Sequence, residues 1–150
     1  MSNEKEREEN TEKLFYIVDK ICGDNIDAKN YLLGIGKTAR LVDDVVDNDA
    51  DIFSQDCYSV IKFFLIDLPR NSFYLNHRLE LDAINAVIWN AWRDSDILDD
   101  GDETDKIYAH VLRDFINELA PFVALVLHGY DKMREISLET RILFKKQLGD

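Results

Sequence analysis

The stretch Ala39-Arg40-Leu41-Val42-Asp43-Asp44-Val45-Val46-Asp47-Asn48-Asp49 decides how this chain is read. Apolar residues run into and through it at steps of three and four, at Leu32, Ile35, Ala39, Val42 and Val46. That is the period of an amphipathic helix with one buried stripe. At about 100° per residue the stripe centres near Ala39, so Asp43 and then Asp47 fall along one edge of it, and Asp44 turns further towards water. Two carboxylates one turn apart repel each other on a helix. Beside a core, at least one is expected to hold its proton more tightly unless a cation lies between them. A hard divalent cation such as Mg²⁺ removes the conflict, because it binds a few carboxylate oxygens and keeps waters that phosphate can replace. The plainer reading is a run of solvated charges on an acidic protein, since structural surfaces also produce such clusters.

The helical period extends outward in both directions. Upstream, residues 1–10 are a charge-dense lead-in expected to fray, after which Leu14, Phe15, Val18, Ile21 and Cys22 form a stripe closed by Gly23 as a C-cap. Asp24 or Asn25 then caps the helix of the aspartate motif. Downstream, a third helix begins at Ser54, carries Tyr58, Val60, Ile61, Phe63, Phe64, Leu65 and Leu68 as core, and stops at Pro69. A fourth follows Arg70-Asn71-Ser72 and runs to about Trp92, with Leu81, Ile84, Val87, Ile88 and Ala91 buried. His77 and Glu80 fall on that same face and are secondary candidates for metal ligands, against the plainer view that they cap or reach solvent. A fifth helix, capped by Thr104, buries Tyr108, Val111, Phe115, Leu119 and Phe122, and Pro121 should kink or divide it. Phe122 to Leu127 reads as the most buried helical segment, with His128 at its end before Gly129. The last helix concentrates Lys132, Arg134, Arg141, Lys145 and Lys146, expected to pair with acidic surface of the same copy or of a second one. No strand pattern, repeat or linker interrupts this, so the expectation is one all-α domain over 1–150, an up-down bundle of five to seven helices.

Composition narrows the partners. A chain of 150 residues, 46% hydrophobic and 11% aromatic, can bury a core of its own. Its net charge of −12 argues against nucleic acid or an anionic membrane and towards cations or basic proteins. Two cysteines, Cys22 and Cys57, far apart in sequence and each inside a helix, suggest neither a disulfide framework nor a zinc site. With a charged N-terminus and no long apolar run, the protein reads as cytoplasmic without a membrane span. Asp96 to Ile107 fails as a calcium loop: Gly101 fits the sixth position, but Leu98 and Ile107 occupy ligand positions three and twelve. Gly34-Ile35-Gly36-Lys37-Thr38 lacks the first glycine and the strand of a phosphate loop, and its glycines suit close helix packing instead.

Arg40-Leu41-Val42-Asp43-Asp44-Val45-Val46-Asp47 resembles the first aspartate-rich motif of the squalene and phytoene synthases, in the all-helical isoprenoid synthase superfamily. Leu112-Arg113-Asp114-Phe115-Ile116-Asn117-Glu118 is similar to the second, with Glu118 where an aspartate is usual. The resemblance implies Mg²⁺ held by Asp43, Asp47, Asp114 and Glu118, gripping a substrate diphosphate, and Asp44 beside them is a further candidate metal ligand. Lys37, Arg40 and Arg113 would be the cations that contact phosphate. The chain is much shorter than such a synthase and the interval between motifs is compressed. In an up-down bundle the two motifs would also lie at opposite ends, and a homodimer is one arrangement that would reunite them. The first functional expectation is therefore a Mg²⁺-dependent diphosphate-binding protein. A second is a non-enzymatic acidic protein that docks on a basic partner or mimics nucleic acid. A third likens Asp43, Asp44 and Asp47 with Glu80 and Asp82 to the helical nucleoside triphosphate pyrophosphatases.

Overall fold

The computed structural model describes residues 4–46 and 54–145. It is an all-α helical bundle, with no strand among the described residues. Among the described residues, seven helices of nine residues or more are joined by one short helix and by tighter or wider single turns. They are α1 (Glu4–Cys22), α2 (Ile26–Val46), α3 (Ser54–Lys62), the short α4 (Ser72–Asn76), α5 (Arg78–Leu98), α6 (Glu103–Arg113), α7 (Leu119–His128) and α8 (Tyr130–Phe144). No helix among the described residues is long and apolar enough to cross a membrane. The chain divides into two compact units, Met1–Arg78 and Leu79–Asp150.

In the first unit, α1 and α2 form an antiparallel hairpin. Gly23 adopts φ +54° and its N–H donates to Asp19 O at 3.0 Å, while Asn25 Oδ1 accepts from Ala28 N at 3.0 Å, so both helix ends are capped within a three-residue turn. Lys29 Nζ meets Asp19 at 2.7 Å, and that hydrogen bond raises the lysine's pKa. Ile17, Val18, Ile21 and Cys22 of α1 are buried, as are Ala28, Tyr31, Leu32 and Ile35 of α2. The buried stripe of α2 is thus centred on its first half and does not extend through Val46, which is 47% exposed.

The third helical run widens before it stops. Beyond α3, residues Phe63–Asp67 form a π-turn, in which Leu68 N–H reaches back five residues to Phe63 O. Lys62 and Asp67, also five apart, pair at 2.9 Å. A 3₁₀ turn over Leu68–Arg70 with Pro69 in it ends the segment. The expected apolar core here is a correction: Phe63 alone of that set is buried, and Tyr58, Ile61, Phe64 and Leu65 are exposed. The segment packs on α2 through the Phe63 side, where Gly34 leaves room for the ring, and its other faces stay open. Asn71 then caps α4, its Oδ1 accepting from Tyr74 N at 2.9 Å, and its Nδ2 donates to Asp27 O at 2.7 Å, which ties α4 to the start of α2. The rings of Phe73 and Tyr74 lie 5.7 and 6.1 Å from that of Tyr31.

In the second unit, α5 buries Leu81, Ile88, Ala91, Trp92 and Ser95 on one side, while Val87, expected inside, is exposed. The N-cap of α6 is Asp102, two residues before the expected Thr104. Its Oδ1 accepts from Asp105 N at 3.0 Å while Asp105 Oδ2 accepts from Asp102 N at 3.2 Å, a reciprocal pairing that satisfies two end donors at once. Gly101 leaves the space that the Asp105 carboxylate fills. A 3₁₀ stretch, Asp114–Glu118, separates α6 from α7, whose first turn holds Pro121. Proline has no N–H for the carbonyl four residues back and crowds it, so one continuous helix is excluded and the division falls just upstream. Gly129, at φ +92°, stops α7 and starts α8, and these two helices pack along each other, burying Val123, Ala124, Ile136 and Thr140.

Candidate functional site

The aspartate motif sits where α2 leaves its core. Asp43 and Asp44 are half-buried, followed by exposed Val45 and Val46; Asp47 lies outside the described residues. Among the described residues, no group of three or more His, Cys, Asp or Glu side chains comes close enough to hold a metal ion. Asp43 and Asp44 are consecutive on α2, so their side chains diverge by about 100° around the helix and do not face each other.

The second motif is occupied by internal ion pairs and belongs to the other unit. Arg113 Nη2 donates to Asp96 Oδ1 at 3.1 Å and stands 3.8 Å from Asp99 Oδ2, with its side chain largely buried. Glu118 takes Arg141 on both carboxylate oxygens, at 2.8 and 3.0 Å, so the basic last helix does pair with acid of its own copy. Asp114 is exposed at the C-terminal end of α6. The helix expected to run through His77 and Glu80 breaks at His77, whose ring lies 5.3 Å from that of Phe73 and tilted by 48° to it, and Glu80 is exposed rather than inward-facing. Asp82 is likewise exposed.

Lys37 and Arg40 have a different setting. A cleft of about 600 Å³ opens in the first unit between the α1–α2 hairpin and the segment from Ser59 to Asn71. On α2, Asn30, Leu33, Lys37 and Arg40 recur at helical spacing and face it together. From the opposite wall come Lys62, Phe63, Ile66, Asp67 and Arg70, the π-turn adding Asp67 to a face that an α-helix would build from Ser59, Lys62, Phe63, Ile66 and Arg70 alone. Leu14 and Phe15 of α1 extend the apolar part.

Among the described residues, four cations therefore line a cleft that holds two carboxylates, on a chain of net charge −12. Asp67 neutralises Lys62, and Asp27 accepts from Ser72 N at 3.2 Å. Arg40 Nη2 donates to the uncharged hydroxyl of Thr11 at 2.9 Å, which positions the guanidinium without cancelling its charge. Lys37 and Arg70 have no hydrogen-bond or ion-pair partner among the described residues. The chemistry of such a wall is anion binding: unpaired cations beside a half-apolar floor suit a phosphate group attached to an apolar body.

Sequence reasoning named Lys37 and Arg40 but missed Lys62, Asp67 and Arg70. The signal available was the spacing of Ser59, Lys62, Phe63, Ile66 and Arg70 along one helical face, cations among aromatics. Set against family models, curated proteins and solved structures, the chain matches none of them.

Proposed function

We propose that the first unit binds an amphiphilic anion of the phosphate or diphosphate class in the cleft walled by Lys37, Arg40, Lys62 and Arg70. The observation that carries this reading is the pair of uncompensated cations, Lys37 and Arg70, over Leu33, Phe63 and Ile66. Arg40 offers a planar fork to a phosphate, Lys37 a point charge, and the aromatic and aliphatic floor takes the apolar part of the ligand. Asp43, three residues beyond Arg40, is the carboxylate that would meet a Mg²⁺ ion carried by a diphosphate, with Asp44 beside it turned further towards water; the ion would supply charge neutralisation there. The reading is of binding, and no group is assigned a catalytic role. A prenyl diphosphate has both parts of such a ligand, whereas inorganic pyrophosphate has only the head and a deoxynucleoside triphosphate joins the head to a polar body. Thermal unfolding of the full chain with each, in Mg²⁺, orders them: the largest rise with the prenyl diphosphate supports the proposal, and no rise with any phosphate compound overturns it.

A further inference from the structure

One cation of the cleft in the first unit is already matched by a carboxylate of the same wall. Lys62 Nζ donates to both oxygens of Asp67, at 3.0 and 2.9 Å, and both residues line the cleft. In a regular α-helix, residues five apart stand about 140° apart around the axis and do not meet. The π-turn over Phe63–Asp67 closes its hydrogen bond across five residues and so returns Asp67 to the lysine's side. Turns of this kind are frequent at functional sites. The two walls run antiparallel, because Phe63 lies on Gly34 while Asn71, eight residues later, holds the carbonyl of Asp27. Lys62, next to Phe63, therefore comes level with the turn of α2 that carries Lys37, and Arg40 follows one turn on.

We infer that Asp67 sets the affinity of this cleft, as an internal counter-anion that a ligand phosphate displaces from Lys62. The inference rests on the reading of the cleft as a phosphate site and names the residue that regulates it. Carboxylate and phosphate oxygens compete for the same ammonium donors. With the two side chains 63 and 46% exposed, the Lys62–Asp67 pair is weak enough to exchange. Displacement turns Lys62 towards the end of the cleft where Lys37 and Arg40 stand, and three cations then share one head group. A purely structural pair has the opposite consequence: it would pin the π-turn, and losing it would loosen the wall and weaken binding.

The test is isothermal titration of a prenyl diphosphate, without Mg²⁺, into the full chain and its variants. Asp67→Asn should tighten binding about three- to tenfold, the effect of removing one carboxylate charge beside the phosphate. Asparagine keeps the shape of aspartate at an exposed position, so helicity by circular dichroism should not change, and Asp67→Ala should show the same gain. Adding Lys62→Gln to Asp67→Asn should return the affinity to within about twofold of wild type, because the released ammonium is what takes the phosphate. Wild-type binding that Asp67→Asn and Asp67→Ala weaken or leave unchanged overturns this inference alone. So does a gain that survives Lys62→Gln. Absence of binding by wild type and every variant overturns the phosphate reading of the cleft, and this inference with it.

Discussion

The ring of Phe63 lies directly against the Cα of Gly34, in space that a single methyl group at position 34 would need. This contact seats the π-turn on α2 and sets the width of the cleft between them. Alanine normally stabilises a helix interior by up to about 1 kcal/mol relative to glycine. At Gly34 that gain is outweighed, because the buried ring must move, and overpacking of this kind costs about 1–3 kcal/mol. Gly34→Ala should therefore lower the urea midpoint. Gly36→Ala, whose methyl would meet only the flexible end of Leu14 at 2.8 Å, should leave it unchanged or raise it.

Asn71 serves two helices with one amide, capping α4 and holding the Asp27 carbonyl. Asn71→Ala removes the cap and leaves a partly buried carbonyl unpaired, a loss of about 1–2 kcal/mol in chemical denaturation. Asn71→Asp keeps the cap acceptor but not the donor, and should recover part of that loss.

The buried Cys22 thiol has its pKa pushed from 9.0 to about 11, chiefly by burial, with the Lys29 charge opposing. In the unfolded chain the thiol ionises from about pH 9, while in the folded protein it keeps its proton. Folding is therefore favoured less as pH rises from 9 through 11, by an amount on the order of 2 kcal/mol. Cys22→Ala should flatten that part of the stability–pH curve relative to wild type, whatever its constant offset. An unchanged slope would mean that the thiol is not held in its neutral form.

Arg113 and Lys37 are the two cations that most clearly divide structural from ligand-binding roles. Arg113→Leu breaks a largely buried pair with Asp96 and should cost about 1–2 kcal/mol of stability, between the values for surface and buried pairs. It should leave phosphate binding untouched. Lys37→Ala should do the reverse, since that ammonium makes no ion pair among the described residues.

What the sequence made legible was local. Gly23, Asn25 and Gly129 act at the helix ends where they were expected, because capping depends on a few neighbouring residues. Pro121 divides its helix for the same reason. Misreadings arose where a face had to be covered by something distant. Periodicity shows that Tyr58, Tyr108 and Val111 share apolar faces but not what packs on them, and all three are exposed. The aspartate motif drew attention to α2, and Lys37 and Arg40 do line the cleft, yet its opposite wall depends on a π-turn that no spacing rule announces. Arg113 and Glu118 looked like ligand-binding groups because sequence cannot show that Asp96 and Arg141 already hold them.

If a diphosphate brings Mg²⁺ to Asp43 and Asp44, the ion alone should scarcely change the melting temperature, while Mg²⁺ with the diphosphate should raise it further than the diphosphate alone. Asp43→Asn with Asp44→Asn should remove that extra increment and keep the Mg²⁺-independent part. An increment that survives the double substitution would locate the ion elsewhere.

The most direct measurement is isothermal titration of a prenyl diphosphate into the full chain and into the Lys37→Ala/Arg70→Ala double variant, both confirmed as folded. The cleft reading predicts saturable one-to-one binding by wild type and at least about a tenfold loss in the variant, the equivalent of some 1.4 kcal/mol. Wild type that takes up no diphosphate, or a double variant that binds as tightly as wild type, would contradict it.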